Sequence, residues 1–325
     1  MKFTKTIAIT AALAAVAAAA FPAHAQDAYP SKPIRLVVPY PPGGVGDAVA
    51  RMIAPGWSAA LKQPIVIENK GGAGSNIGLD AVAKSPPDGY TIALFDTALA
   101  TNPALYPSMP FDAQRDLIPI SLIARGPLVL VVNPAFAAKN VSELVAMAKA
   151  KPGSISYASA GNGTPVHLAA EMLKSSAGID LVHVPYKGAG PAVTDVLGGQ
   201  VPVLFAVPGT AIPHIKAGKF RAIGITGETR FKSLPDVPTF AEQGVVGVDG
   251  TIVLGFVAPA KTPRAIVAQL YDTLVKVLAT PEVTEKLNGF GLTVVAADPE
   301  KSAKLLADET ALWAKVVKGA GVKLE

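Results

Sequence analysis

Two stretches decide the fold of this chain: VPYPPGGVGD at residues 38–47 and VPYKGAGP at residues 184–191. In each, an apolar run ends at Val-Pro-Tyr, glycines follow, and a helical pattern begins. A strand that leads through a glycine loop into a helix directs backbone N–H groups and the positive end of the helix dipole at whatever lies in front of it. Each stretch therefore predicts an anion-binding loop, and the repetition suggests that both loops face one ligand.

Short apolar runs alternate with helical patterns on either side of these loops. In the first part of the chain, residues 34–38, 65–68 and 91–95 have the pattern of strands, and residues 45–61 and 77–84 that of helices. This alternation is typical of βαβ units and predicts a mostly parallel sheet. Residues 98–120 contain four prolines, which predicts an irregular connection.

A second α/β series begins at residue 128. It predicts strands over 128–132, 155–158, 181–184, 201–205 and 222–226, and helices over 141–149 and 164–175. Residues 252–258 form an apolar run that can return the chain to the first series, and helices over 265–278, 282–287 and 299–320 follow with a short strand at 292–295. Asn140 and Asp298 are the predicted N-caps of the helices over 141–149 and 299–320.

These patterns predict an α/β protein with two lobes and a ligand cleft between them. The first lobe would comprise residues 26–127 and 253–325, and the second residues 128–252. Ligands of open α/β sheets bind beyond the carboxyl ends of the strands. Both Val-Pro-Tyr loops are predicted to lie there.

The first 25 residues have the pattern of a cleaved signal peptide. Lys2 and Lys5 precede an apolar, alanine-rich run over residues 7–20, and Ala23-His24-Ala25 fits a small-x-small cleavage site. A membrane anchor is the alternative, but the run is shorter than the roughly 20 residues that span a bilayer. We therefore expect export to the periplasm.

Composition excludes several classes of function. The chain has no cysteine, which rules out disulfides, iron-sulfur clusters, thiolate zinc sites and cysteine nucleophiles. Its net charge is +5, which falls to about +3 without Lys2 and Lys5, and the remaining arginines are dispersed, so we expect no nucleic-acid partner. The histidines lack the spacing of a metal motif, and we expect neither a metal nor a cofactor.

A third glycine loop, SAGNGTPVH at residues 159–167, enters the helix predicted from residue 164. Thr164 is its predicted N-cap, and the hydroxyl, amide and N–H groups of the loop can also contact a ligand. Asp47 has the same two interpretations, because a carboxylate at a helix start can cap free N–H groups or bind a ligand amine or water. Residues 95–98, FDTA, follow the strand that begins at Thr91 and form a fourth candidate rim, in which Thr97 is the candidate ligand contact.

Two enzyme classes remain as alternatives. Residues 72–78, GAGSNIG, resemble a dinucleotide-binding fingerprint with Asp96 after the next strand, but residues 69–71 separate the motif from its strand. An exported α/β hydrolase would use Ser159 as nucleophile, with Asp195 and His214 as its partners. Tyr157 stands where Gly-x-Ser-x-Gly requires its first glycine.

Several collinear motifs resemble the Bug/TctC family, the periplasmic solute-binding components of tripartite tricarboxylate transporters. They lie along nearly all of the chain that follows the predicted signal peptide: YPSKPI at 29–34, PPGG at 41–44 with Asp47, PDGYT at 87–91, SAG at 159–161, HVPYKG at 183–188, LPDVPT at 234–239 and APAKTP at 258–263.

The resemblance implies a two-lobed type II periplasmic binding protein that closes on a small carboxylate, held by backbone groups, hydroxyls and ordered waters. It also implies large and small membrane transporter subunits as partners, although some relatives serve ligand sensing instead. We expect a non-enzymatic monomer. The candidate ligand-binding residues are Tyr40, Gly43, Gly44, Asp47 and Thr97 in the first lobe, and Ser159, Gly161, Asn162, Gly163, Thr164, His167, Tyr186 and Gly188 in the second.

Overall fold

A computed structural model describes residues 29–186, 188–248, 250–320 and 322. The predicted signal peptide lies outside the described residues. Within them the chain forms two separate β-sheets of mixed strand direction, each covered by helices. We call the part built on the first sheet the first lobe and the part built on the second sheet the second lobe.

The first sheet has the strand order β11-β4-β10-β3-β1-β2. β1 pairs in parallel with β2 and β3, whereas β10 pairs antiparallel with β3 and β4, and β11 antiparallel with β4. The strands are β1 (Ile34–Val38), β2 (Ile65–Asn69), β3 (Thr91–Asp96), β4 (Leu117–Pro127), β10 (Thr251–Pro259) and β11 (Thr293–Val294).

The second sheet has the order β7-β6-β8-β5-β9. β6 pairs in parallel with β7 and β8, and β5 pairs antiparallel with β8 and β9. Its strands are β5 (Val129–Val132), β6 (Ser156–Ser159), β7 (Val182–Pro185), β8 (Val203–Ala206) and β9 (Arg221–Ile225).

Helices pack against both sheets. They are α1 (Val45–Leu61), α2 (Asn76–Ala83), α3 (Ala98–Leu105), α4 (Val141–Ala150), α5 (Pro165–Ala177), α6 (Ala189–Leu197), α7 (Pro208–Lys216), α8 (Arg264–Leu278), α9 (Pro281–Gly289) and α10 (Pro299–Ala320), with a 3₁₀ turn at Ala241–Gln243. None of the described helices is both long enough and apolar enough to cross a membrane.

The prediction of a mostly parallel sheet is wrong, because the strands that connect the lobes run against their neighbours. β4 continues through Leu128 into β5, and β10 brings the chain back to the first sheet. Each crossing strand pairs antiparallel with strands of the βαβ units. The sequence pattern indicated the return crossing at residues 252–258, but it did not indicate the direction in which the crossing strands run relative to their neighbours.

The prediction of an irregular connection over residues 98–120 is confirmed only for residues 106–116 and is wrong for the rest. Residues 98–105 form α3 despite Pro103, and β4 begins at Leu117. Leu99, Ala100 and Leu105 are buried, so tertiary packing offsets the backbone hydrogen bond that a proline removes. α7, which contains Pro213, is a further helix that the sequence pattern did not indicate.

Two predicted capping residues are confirmed. Asn140 Oδ1 accepts a hydrogen bond from Glu143 N–H at 2.8 Å at the start of α4. Asp298 Oδ1 accepts one from Lys301 N–H at 2.7 Å at the start of α10. Such caps contribute about 1 kcal/mol each.

A core of the first lobe lies between its sheet and helices α1 and α8. The fully buried Trp57 of α1 packs against Phe256 of β10, with ring centroids 5.0 Å apart. Its Nε1–H donates to Leu270 O at 3.2 Å and to Thr273 Oγ1 at 3.0 Å, both in α8. α10 packs against α3 and β4 in the first lobe and against α5 in the second. The lobe boundaries at residues 127/128 and 252/253 stay a prediction.

Candidate ligand-binding cleft

A cavity of ≈ 220 Å³ lies between the two lobes. On the first-lobe side it is lined by Val45 and Gly46 at the start of α1 and by Asp96 and Thr97 at the end of β3. On the second-lobe side it is lined by residues at the starts of α5, α6 and α7, namely Thr164, Pro165, Val166, Ala189, Val207 and Thr210. The cavity therefore joins elements that are far apart in the sequence.

Five helices begin at this cavity. Two are in the first lobe, α1 and α3, with Thr97 as the N-cap residue of α3, and three are in the second lobe, α5, α6 and α7. The first N–H groups of a helix have no partner inside the helix, and its N-terminus carries roughly half a positive charge. Apolar side chains, among them Val193, Leu204, Phe205, Ile252 and Leu254, form much of the remaining wall. Such surroundings suit a small anion with an apolar body.

Asp47 organises the first-lobe glycine loop. Its Oδ2 accepts hydrogen bonds from Gly43 N–H and Arg51 Nε–H, both at 3.0 Å, and its Oδ1 accepts one from Asn69 Nδ2–H at 2.9 Å. The hydrogen bonds from Arg51, then from Gly43 and Asn69, lower the pKa of Asp47 to about 2. Since these donors occupy both oxygens, the observed role of Asp47 is to hold the loop and not to point into the cavity.

The backbone of this loop is open to solvent. Gly43 has φ +92°, a conformation that favours glycine, and a Cβ atom there would meet nothing within 4 Å. Gly44 is the N-cap residue of α1, with φ −77° and ψ 168°, and both glycines are exposed. The loop therefore has an exposed backbone and lies next to the cavity-lining residues Val45 and Gly46.

Tyr40 and Asp96 join the ends of β1 and β3. Tyr40 Oη donates to Asp96 Oδ1 at 2.7 Å, and Ala98 N–H donates to the same oxygen at 2.9 Å. Burial raises the pKa of Asp96, and burial together with the neighbouring Asp96 raises the pKa of Tyr40. Thr97 Oγ1 accepts a hydrogen bond from Val253 N–H at 3.0 Å, which ties this rim to the return strand β10.

The second-lobe loop over residues 159–164 is shaped by its own hydrogen bonds. Gly161 N–H donates to Ser159 Oγ at 3.1 Å, and Thr164 Oγ1 donates to Gly161 O at 2.7 Å. Thr164 is the N-cap residue of α5, as predicted, but its side chain makes no capping hydrogen bond. Asn162, at the tip, is exposed.

His167 supports this loop from behind. It is buried, and its Nδ1 accepts a hydrogen bond from Gly163 N–H at 3.0 Å. Nδ1 must therefore be unprotonated, which places the proton of the neutral ring on Nε2. Burial, and then the neighbouring His183, lower the pKa of His167 to about 4.

A stack of aromatic rings lies beneath the loop, and sequence analysis missed it. His167 and His183 are stacked with centroids 4.0 Å apart, and Tyr157 stacks on His183 at 4.9 Å. His183 Nε2 lies 2.6 Å from Ser159 Oγ. The arrangement depends on the register of β6 and β7, which places Tyr157 opposite His183, and the sequence carried no signal for that pairing.

Glu171 of α5 closes the polar network under the stack. Its Oε1 accepts a hydrogen bond from Tyr157 Oη at 2.6 Å and forms an ion pair with Lys174 Nζ at 2.9 Å. The same oxygen lies 3.9 Å from His167 Nε2. These contacts hold α5 to β6.

The second Val-Pro-Tyr loop contacts the loop over residues 159–164 of the same lobe. Tyr186 N–H donates to Ser159 O and Gly188 N–H to Ala160 O, both at 3.1 Å. Tyr186 Oη donates to Asp195 Oδ2 at 2.6 Å, which raises the pKa of Tyr186 to about 12. Gly188 is the N-cap residue of α6.

Of the predicted ligand-binding residues, Thr97 and Thr164 line the cavity itself. The others form the loops around it or lie directly behind those loops, and their contact with a ligand stays a prediction. Gly46 and Thr210 also line the cavity and were not predicted as ligand contacts. Asp96, a further lining residue, was predicted only as part of the rim over residues 95–98 and as the acidic residue of the dinucleotide alternative. Asp96 directly follows a predicted strand, which was the available signal.

The proposed hydrolase triad is not assembled. Ser159 is fully buried and contacts His183. Asp195 binds Tyr186, and His214 packs edge-on against Phe220 with centroids 5.3 Å apart.

The dinucleotide fingerprint is not supported either. Residues 72–78 do not line the cavity.

Comparison with known proteins agrees with this geometry. The family model for the tripartite tricarboxylate transporter family receptor, TctC, matches residues 49–322. The solved structure of the periplasmic binding protein BugD is 36% identical, with a TM-score of 0.79 over 91% of this chain and 100% of that chain. The predicted two-lobed type II periplasmic binding fold is thereby confirmed.

Two further solved structures contain a carboxylate. An R. palustris protein with adipate is 33% identical, with a TM-score of 0.82 over 91% of this chain and 100% of that chain. MatC from Rhodopseudomonas palustris with bound malate is 31% identical, with a TM-score of 0.77 over 89% of this chain and 100% of that chain.

Proposed function

The chain belongs to the tripartite tricarboxylate transporter receptor family, and from this premise we propose that it captures a small organic carboxylate between its lobes and delivers it to a membrane transporter. Proteins of this family are periplasmic solute-binding proteins, and relatives have been solved with adipate and malate. The chain itself would act in the periplasm after cleavage of its signal peptide, as a monomer and without catalysis.

The observation that carries this proposal is the convergence of five helix starts, from both lobes, on one cavity. A carboxylate there can accept hydrogen bonds from backbone N–H groups without any arginine or lysine in contact. A hydrogen bond to a charged group contributes roughly 1.5–3 kcal/mol. A micromolar ligand needs about 8 kcal/mol in total, so a few such bonds are sufficient once ordering costs are included.

Both lobes contribute to the cavity wall, and this makes binding responsive to lobe closure. A ligand shifts a conformational equilibrium only by its difference in affinity for the two states. A carboxylate that contacts Gly46 and Thr97 on one side and Thr164 and Thr210 on the other reaches its full set of contacts only when the lobes are together. The closed, loaded form would then be the one that the large and small membrane subunits receive.

Thermal stabilisation by ligand tests the proposal. Mono-, di- and tricarboxylates are screened for a rise in the melting temperature of the mature protein, since a ligand that binds only the folded state stabilises it. We expect at least one carboxylate to raise the melting temperature in a concentration-dependent manner. A flat response to every carboxylate contradicts the proposal.

Gly44→Val tests the contribution of the first-lobe loop. The backbone of Gly44 suits valine, and the nearest atom to an added Cβ is Pro41 O at 4.0 Å, so the ligand-free protein should lose about 1 kcal/mol or less. The side chain would cover the N–H groups at the start of α1, and we expect ligand stabilisation to disappear. Gly289→Val, which also enters open space, is the matched control. Unchanged binding by Gly44→Val would remove this loop from the site.

A further inference from the structure

We infer that Asp96 determines ligand specificity: it accepts a hydrogen bond from an ammonium or hydroxyl group at the end of the ligand distal to its carboxylate, and it disfavours a second carboxylate there. This inference rests on the proposed function, since it concerns the ligand of the same cavity. It sets this chain apart from relatives solved with the dicarboxylates adipate and malate.

The position of Asp96 is the first argument. Among the described residues that line the cavity, it is the one with an ionisable side chain. Its two hydrogen bonds to other described residues, from Tyr40 Oη and Ala98 N–H, both use Oδ1. Those bonds fix the carboxyl group in one orientation and leave Oδ2 as the acceptor available to a ligand.

The electrostatic asymmetry of the cavity is the second argument. The second-lobe wall contains the starts of α5, α6 and α7, and no acidic side chain among its described lining residues. The first-lobe wall contains two helix starts, and each has a carboxylate that offsets its positive end. Asp47 is buried in the first turn of α1, and Asp96 accepts a hydrogen bond from Ala98 N–H at the start of α3. A ligand carboxylate is therefore more favourable against the second lobe, which directs the other end of the ligand towards Asp96.

The surroundings of Asp96 are the third argument. The neighbouring wall is apolar, with Val45, Ile252 and Leu254, and like charges brought together in such an environment repel strongly. Burial already raises the pKa of Asp96. An ammonium group favours its charged form, whereas a second carboxylate would require one of the two acids to bind a proton.

Asp96→Asn is a nearly isosteric test. The Oδ1 of asparagine can still accept hydrogen bonds from Tyr40 and Ala98, so the contacts that join β1, β3 and α3 are kept. Oδ2 becomes an NH₂ group, which donates where the carboxylate accepted. The substitution therefore replaces an acceptor by a donor at this position in the cavity wall and keeps the hydrogen bonds from Tyr40 and Ala98.

The ligands are four series of linear acids with matched lengths of four to six carbons: the unsubstituted acid, the ω-hydroxy acid, the ω-amino acid and the dicarboxylate. Dissociation constants are measured by calorimetry for the mature wild-type protein and for Asp96→Asn. At the best-fitting length we expect the wild type to bind the ω-amino or ω-hydroxy acid on the order of tenfold more tightly than the dicarboxylate. In Asp96→Asn that ratio should fall to about one or reverse.

The outcomes separate this inference from the proposed function. A wild type that binds the dicarboxylate at least as tightly as the ω-amino and ω-hydroxy acids overturns the role of Asp96 and leaves the carboxylate receptor intact. The same holds if Asp96→Asn retains the wild-type ranking. A protein that binds none of these acids overturns both. The wild-type ranking decides the question by itself should the variant not fold.

Discussion

We expect acid to destabilise the protein through His167, the buried side chain that supports the second-lobe loop. Gly163 N–H donates to Nδ1 of His167, so the bond exists only while that nitrogen is unprotonated. The folded protein holds the pKa of His167 at about 4 because of burial and the adjacent His183, against an ordinary value of 6.5. As the pH falls, the unfolded chain therefore binds a proton first, and stability decreases between pH 6.5 and pH 4.

The size of the effect follows from the two pKa values. Between pH 7 and pH 5 the proton linkage of this single histidine should lower the free energy of unfolding by about 2 kcal/mol. His167→Asn removes the titrating group, while its Oδ1 can replace Nδ1 as acceptor for Gly163 N–H. The variant should therefore lose about 2 kcal/mol less than the wild type over the same pH interval.

Urea denaturation of the mature protein at pH 7 and pH 5 measures this difference directly. His214→Gln is the matched control, since His214 lies on α7 against Phe220 and outside the stack; it should show the wild-type pH dependence. If the free energy of unfolding falls by the same amount in the wild type and in His167→Asn, the reasoning is refuted. The loss of stability in acid would then not come from protonation of His167.

Two further predictions concern the frame of the first lobe. Asp47→Asn removes the charge that binds Arg51, and we expect a loss of about 1–2 kcal/mol in urea denaturation; an unchanged midpoint would show that the loop does not depend on this charge. Gly255→Ala places a Cβ atom only 2.3 Å from Phe95 Cε1 in the return strand, so about 3 kcal/mol or more should be lost. Gly289→Ala, in open space, should stay within about 0.5 kcal/mol of the wild type, and similar values for the two alanine variants would contradict the packing argument.

The sequence predicted the elements whose pattern is local. The helix over 45–61 and the caps at Asn140 and Asp298 are confirmed, because periodicity and capping involve neighbouring residues. Residues 98–105 were assigned wrongly, since their helix is stabilised by burial that proline-rich sequence does not indicate. The mixed strand direction of the sheets was not predicted either, because strands that pair with each other are distant in the chain.

The candidate site shows the same division. Glycine loops that precede helices could be recognised from sequence, because a loop and the helix dipole behind it are local features. Asp195 was paired with His214 in the hydrolase alternative, whereas the structure pairs it with Tyr186. Side chains that meet across strands, such as Tyr157 and His183, follow from register and could not be foreseen.

The sequence by itself therefore determined that this chain presents glycine loops and helix starts suited to an anion, and that it lacks cysteine chemistry. Only the tertiary structure decided which of these groups enclose the cavity and that Asp96 lies in its wall. The physical reason is that helix dipoles and caps depend on residues a few positions apart. The cavity depends instead on how the two crossing strands place helix starts and loops of two different sheets around one space.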